Sequence, residues 1–270
     1  MTDPSADHSS MDSLDEARMG LLEHLAELRQ RLIHSIVWLV AGFCIAWFWH
    51  EELFEFLLVP LEMGAEGLAD PNAGEAADRL QDMHHKDLAE PIFVFLKISV
   101  LAGAFIGAPG ILHNIWKFIA PGLYNSEKKL AFPFVALATL FFFLGAGFCY
   151  AIVLPYGYNF LLGFSTGVSD PQLMMSEYFT ITTKLLFGFG VIFELPVFSM
   201  FLSIIGVITH KHLIAFWRYA VVLSFLMAAL FTPPDIITQA MMAGPLMILY
   251  GLSIGVAWFF SKDDEETEDV

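Results

Sequence analysis

Six stretches of mostly apolar residues, about 32–49, 92–112, 131–154, 179–208, 218–231 and 236–260, alternate with polar segments along the chain. A helix needs ~20 such residues to cross the hydrocarbon core of a bilayer. The pattern predicts an all-α integral membrane protein with six transmembrane helices and both termini on one side. The fifth stretch has only 14 residues, about 21 Å at the ~1.5 Å helical rise. It predicts short fifth and sixth helices whose turn, Thr232-Pro233-Pro234-Asp235, lies below the membrane surface. Pro109, Pro133, Pro155, Pro196 and Pro245 lie in or at the ends of the runs. Each removes a backbone donor, so the bundle is expected to be bent.

Ahead of the first run, Leu21, Leu25, Leu28 and Leu32 recur at spacings of four and three, one face of a helix. Glu23, Glu27 and Arg31 recur at spacing four on the other, with Glu27 and Arg31 placed as an i,i+4 pair. An amphipathic helix at the membrane surface follows, either a bare anchor or a recognition element. The chain divides into an acidic leader with this interfacial helix (1–31), a six-span domain (32–260) with an acidic external loop at 50–91, and an acidic disordered tail (261–270). Within that loop, 62–90 reads as a flexible or short-helical insertion.

Composition sharpens this picture. The chain is 57% hydrophobic and 16% charged, with mean hydropathy +0.63, whereas soluble domains carry ~25% charge. An ordinary soluble domain and a disordered chain are both excluded. The net charge of −16 resides mainly in the leader, the external loop and the tail, which hold 24 of the 29 acids. Such surfaces disfavour nucleic acid as a partner. With the termini cytoplasmic, nine Lys/Arg fall inside and only Arg79 and Lys86 outside, as the positive-inside rule requires. Cys44 and Cys149 sit in apolar runs and support neither a disulfide nor a metal site. His84-His85 and His210-Lys211-His212 lack partners at ligand spacing. With no glycine-rich phosphate loop and no nucleophile–base pair in the spans, neither a cofactor nor an enzyme is expected.

Three polar features stand out. Glu194 is sixteenth in a run of thirty, near the bilayer midplane. A carboxylate there costs several kcal/mol unless neutral, hydrated or paired, which makes it a functional candidate; a structural hydrogen bond is the other reading. Pro196, two residues on, frees the carbonyl of Ile192. Asp235 and Gln239 open the last span on one face, as a partner site or a plain helix cap. In the loop Trp116–Leu130, Glu127 is the only acid, beside Lys128 and Lys129. It suits a local ion pair as well as a binding role. From residues alone, a proton-coupled small-molecule transporter using Glu194 is the alternative to a polypeptide receptor.

His24-Leu-Ala-Glu-Leu-Arg-Gln-Arg-Leu32, Phe118-Ile-Ala-Pro-Gly-Leu-Tyr124 with Glu127, Phe193-Glu-Leu-Pro-Val197, and Thr232-Pro-Pro-Asp235 with Gln239 resemble, in order, the motifs of the TatC family. TatC is the multispanning core of the twin-arginine protein translocase. The resemblance implies a cupped six-helix fold with a concave face in a bacterial-type inner membrane. It implies a receptor for twin-arginine signal peptides that exports folded cargo with single-span TatA- and TatB-type partners. The drive would be the proton-motive force, and further copies of the chain would join the complex. Glu27 and Glu127 fall on the acids that contact the arginine pair. Arg29, Pro60 and Phe118 fall on positions important for transport, Glu194 on the intramembrane acid, and Asp235 and Gln239 on the polar pair of the last hairpin. Pro60 and Pro196 carry over as structural positions. Lys128-Lys129 and Gln30 depart from the usual residues, and no function transfers to 62–90.

Overall fold

The computed structural model describes residues 5–66, 88–119, 131–165, 174–231 and 236–260. Helices α1 (Ser5–Trp47), α2 (His50–Glu66), α3 (Glu90–Ile119), α4 (Ala131–Phe148), α5 (Leu154–Ser165), α6 (Met175–Ile192), α7 (Leu195–Ile204), α8 (His210–Phe231) and α9 (Ile236–Phe260) follow in order. A π-turn, Cys149–Val153, joins α4 to α5. It lies just ahead of Pro155, where the ring of a proline disrupts the regular hydrogen-bond ladder. Six apolar crossings result: His24–Trp47, Glu90–Ile119, Pro133–Gly163, Met175–Ile204, His210–Ala229 and Met242–Phe260. The third is α4 and α5 end to end, and the fourth is α6 and α7. The protein is a multipass membrane protein. The start of α1 and the end of α9 share one face, called the near face below.

Several boundaries differ from the sequence expectation. The fifth helix has 22 residues, about 33 Å at ~1.5 Å per residue, because the polar stretch from His210 is helical too. It spans the core, which removes the reason to place the following turn inside the membrane. That turn itself, 232–235, lies outside the described residues, as does the tail. α8 and α9, at 22 and 25 residues, are nonetheless shorter than the middle crossings of 30 and 31. There is no break at residue 31: α1 is one helix through leader motif and span. The first half of the external loop is likewise ordered, as α2.

α2 explains Pro60. Its side chain is fully buried, and lacking an N–H it leaves the carbonyl of Phe56, one turn back, without its helical donor. The hydroxyl of Tyr150 donates to that carbonyl at 2.6 Å. Tyr178 donates to the carbonyl of Leu57, and Asn159 to that of Gly64 at 2.8 Å, in the last turn where carbonyls have no intrahelical partner. Leu57, Leu61 and Ala65, on the same buried face of α2, join a core with Val94, Ile98, Phe179 and Phe189.

Among the described residues the packing of α1 on α3 is the most extensive, and glycine permits it. A Cβ on Gly103 would lie 2.5 Å from the backbone nitrogen of Phe43, and one on Gly107 2.8 Å from the carbonyl oxygen of Trp38. Gly145 meets the carbonyl of Phe189 in the same way between α4 and α6. Nearer the termini, Trp116 stacks on Phe134 and Phe201 meets both edge-on, with centroids 5.1–5.9 Å apart, tying α3, α4 and α7 together. α1 packs mainly on α3, and α8 mainly on α9. The crossings therefore form no closed cylinder, and a concave groove opens between α1 and α3 on one wall and α6 and α7 on the other.

Candidate recognition site at the near face

α1 and α3 run antiparallel from the glycine seam, so their near-face ends stay side by side. The last rung is a stacked pair: the rings of His24 and Phe118 lie 4.6 Å apart at 21°. One turn along α1, Glu27 accepts a hydrogen bond from Arg31 at 3.0 Å. Both are half-buried, Arg31 at 22% and Glu27 at 33% exposure. Arg29 is exposed. Phe118 and Glu27 thus come together through His24. Glu127 lies outside the described residues.

One turn beyond Arg31, Ser35 already lines the groove. This space, about 540 Å³, is walled by Leu39 of α1, Leu112 and Trp116 of α3, and Val191 and Phe198 of the fourth crossing. Glu194 is the only carboxylate among its described lining residues. It occupies the two-residue turn between α6 and α7. There Glu194 N–H donates to Val191 at 3.1 Å, a tighter turn than an α-helix. Buried Pro196 follows as the second residue of α7, where a missing N–H costs nothing. The Glu194 side chain caps neither helix. Its Oε1 is buried and has no hydrogen-bond partner among the described residues. Because the fourth crossing begins at Met175, Glu194 is its twentieth residue of 30, closer to the near face than the midplane position expected. Orphaned buried oxygens are costly and rare.

The other expected residues stand apart. Gln239 donates to the carbonyl of Phe225 at 2.9 Å, joining α9 to α8; Asp235 lies outside the described residues. Pro60 belongs to α2 at the far face.

Sequence reasoning passed over two groups. His24 was read only as a motif letter, although an aromatic ring one turn from Glu27 was a usable signal. At the far face, Lys97 of α3 donates to Thr180 at 2.9 Å and to Ser176 at 3.4 Å on α6. Glu90 accepts from the backbone N–H of Ser176 at 2.9 Å, supplying the side-chain acceptor that the N-terminus of α6 lacks locally. The i,i+4 hydroxyls Ser176 and Thr180 opposite an intramembrane lysine were the legible clue.

The family profile described as Sec-independent protein translocase protein (TatC) matches residues 23–245. The TatC protein of Desulforapulum autotrophicum is 40% identical over 258 residues, covering 95% of this chain and 91% of the relative. That of Halothiobacillus neapolitanus is 39% identical, over 96% of this chain and 68% of the relative. That of Aquifex aeolicus is 36% identical, over 93% and 99%. A crystal structure named Twin Arginine Translocase Receptor- TatC superposes with a TM-score of 0.74 at 36% identity, over 87% of this chain and 97% of that one.

Proposed function

The chain belongs to the TatC family, the Sec-independent twin-arginine translocase subunit, and from that premise we propose that it is the signal-peptide receptor and core of a proton-motive-force-driven exporter of folded proteins. The observation that carries the receptor role is an order of chemistry along α1. The half-buried Glu27 carboxylate stands at the membrane edge beside the His24–Phe118 stack, and two turns further on, at Ser35, an apolar groove begins. A twin-arginine signal peptide has the same order, a guanidinium pair followed by an apolar run. A carboxylate matches the planar fork of a guanidinium and meets a lysine only as a point charge. Glu27, with Glu127 as the second acid, then favours Arg-Arg over Lys-Lys, and Arg29 and Phe118 complete the contact.

The Glu194 oxygen in the groove suits a hydrogen-bond donor on an apolar helix, either the signal or a single-span partner of the TatA or TatB type. Gln239 with Asp235 offers such a partner a second polar contact on the last hairpin. The lysine and arginine distribution supports a cytoplasmic near face in a bacterial-type inner membrane. Other copies of the chain would complete the assembly. The small-molecule transporter reading rested on Glu194 alone and gives way to the family assignment.

The test is the affinity of the chain in nanodiscs for a signal peptide with Arg-Arg and for its Lys-Lys twin, at two salt concentrations. The expected result is an Arg-Arg preference that falls in Glu27→Ala and in Glu127→Ala. Equal binding of both peptides, unchanged in the two variants, refutes the receptor role.

A further inference from the structure

The carboxylate that is to receive a ligand arginine already holds one. Arg31 Nη2 meets Glu27 Oε1 at 3.0 Å, a single contact where a guanidinium and a carboxylate can form two. Arg31 Nε is buried and has no hydrogen-bond partner among the described residues. Arg31 is therefore held by one bond while another of its N–H groups is desolvated without compensation, which is unfavourable. The pair lies on one helix at i,i+4, a spacing that gives weak pairs, and Glu27 is a third exposed. This is a contact that is made at rest and readily exchanged.

We propose that Arg31 is a resident competitor for the Glu27 carboxylate, displaced when an arginine of the signal peptide binds. The inference rests on the reading of Glu27 as the guanidinium site. Its consequence is a threshold. Every cationic ligand that uses Glu27 must first free it from Arg31, so the same penalty falls on arginine and lysine peptides. The ratio between them is unchanged, but the weaker lysine peptide is pushed further from useful binding. When a strong ligand arrives, Arg31 can rotate to solvent and recover hydration for its orphaned Nε.

The experiment is a double-mutant cycle on the full chain in nanodiscs, with synthetic Arg-Arg and Lys-Lys signal peptides as probes. The variants are Arg31→Gln, Glu27→Gln and the double variant. Arg31→Met serves as a second removal, and melting temperature reports folding. Arg31→Gln is expected to tighten both peptides by about two- to fivefold, the scale of a partly exposed i,i+4 ion pair. In the Glu27→Gln background it is expected to change nothing, because the competition is then already gone. Tightening of equal size in both backgrounds would mean that Arg31 acts only as bulk positive charge, and overturns the proposal. Weakened binding in Arg31→Gln would mean that Arg31 positions Glu27 for the ligand, and also overturns it. If Glu27→Gln alone leaves both affinities unchanged, the receptor reading of Glu27 fails, an outcome separate from the other two.

Discussion

Replacing Gly103 with alanine adds one methyl group where the backbones of α1 and α3 touch. Its Cβ would stand 2.5 Å from the backbone nitrogen of Phe43 and 2.7 Å from its Cα. Ordinary contact begins near 3.4 Å, so the helices must part by about 1 Å. The obstructing atoms are backbone, which cannot turn aside as a side chain can. Overpacking of this kind costs about 1–3 kcal/mol. In an unobstructed helix, the same change gains about 0.8–1 kcal/mol from propensity. Gly147 is the internal control, since a Cβ there meets nothing within 4 Å. The assay is thermal unfolding of both variants in one detergent, followed by signal-peptide affinity. Gly103→Ala is expected to melt below the parent and to bind peptide more weakly, because the His24–Phe118 stack at the end of the seam loses its register. Gly147→Ala is expected to melt at or above the parent temperature with affinity unchanged. A Gly103→Ala protein as stable as the parent, with parental affinity, refutes the reasoning.

Three further outcomes follow from other contacts. Tyr150→Phe removes the donor to the carbonyl freed by Pro60 and should lower stability by about 0.5–1.5 kcal/mol, read as a lower melting temperature; no loss would mean that water serves that carbonyl equally well. Glu90→Ala should cost about 0.5–2 kcal/mol through the uncapped start of α6, and Glu90→Gln, which keeps an acceptor for Ser176, should recover most of it; equal losses in the two variants would point to charge instead. Glu194→Leu should leave the isolated chain as stable as the parent or more so, since it removes an orphaned buried oxygen, while export in cells falls; a destabilised chain would reveal a structural bond at Glu194.

The candidate site was legible in pieces. Glu27 and Arg31 paired as their spacing requires, because an i,i+4 contact is local to one helix. The nearness of Phe118 to that pair was not legible, since it depends on the end of α3 lying beside the start of α1, 94 residues apart in the chain. Glu194 stood out from its cost in a membrane, and its place moves from sixteenth to twentieth of 30 because the fourth crossing starts at Met175, ahead of the apolar run that marks it. Pro60 carried over only as a position, and its physical consequence is the carbonyl of Phe56, whose donor is Tyr150 of the third crossing.

Hydrophobic runs alone determined that this chain lives in a membrane and crosses it six times. A helix in lipid satisfies its backbone within itself, so length and apolarity are sufficient evidence for a crossing. The sequence could not determine which faces of those helices meet. Nearly every face is apolar, and lipid tails are as apolar as leucine, so hydropathy does not separate a packed face from a lipid-facing one. That choice was made by close fit: glycines that let backbones touch, a carbonyl freed by Pro60 that takes its donor from a neighbour, and aromatic rings packed between crossings. The open groove and the buried oxygen of Glu194 exist only as products of that fit.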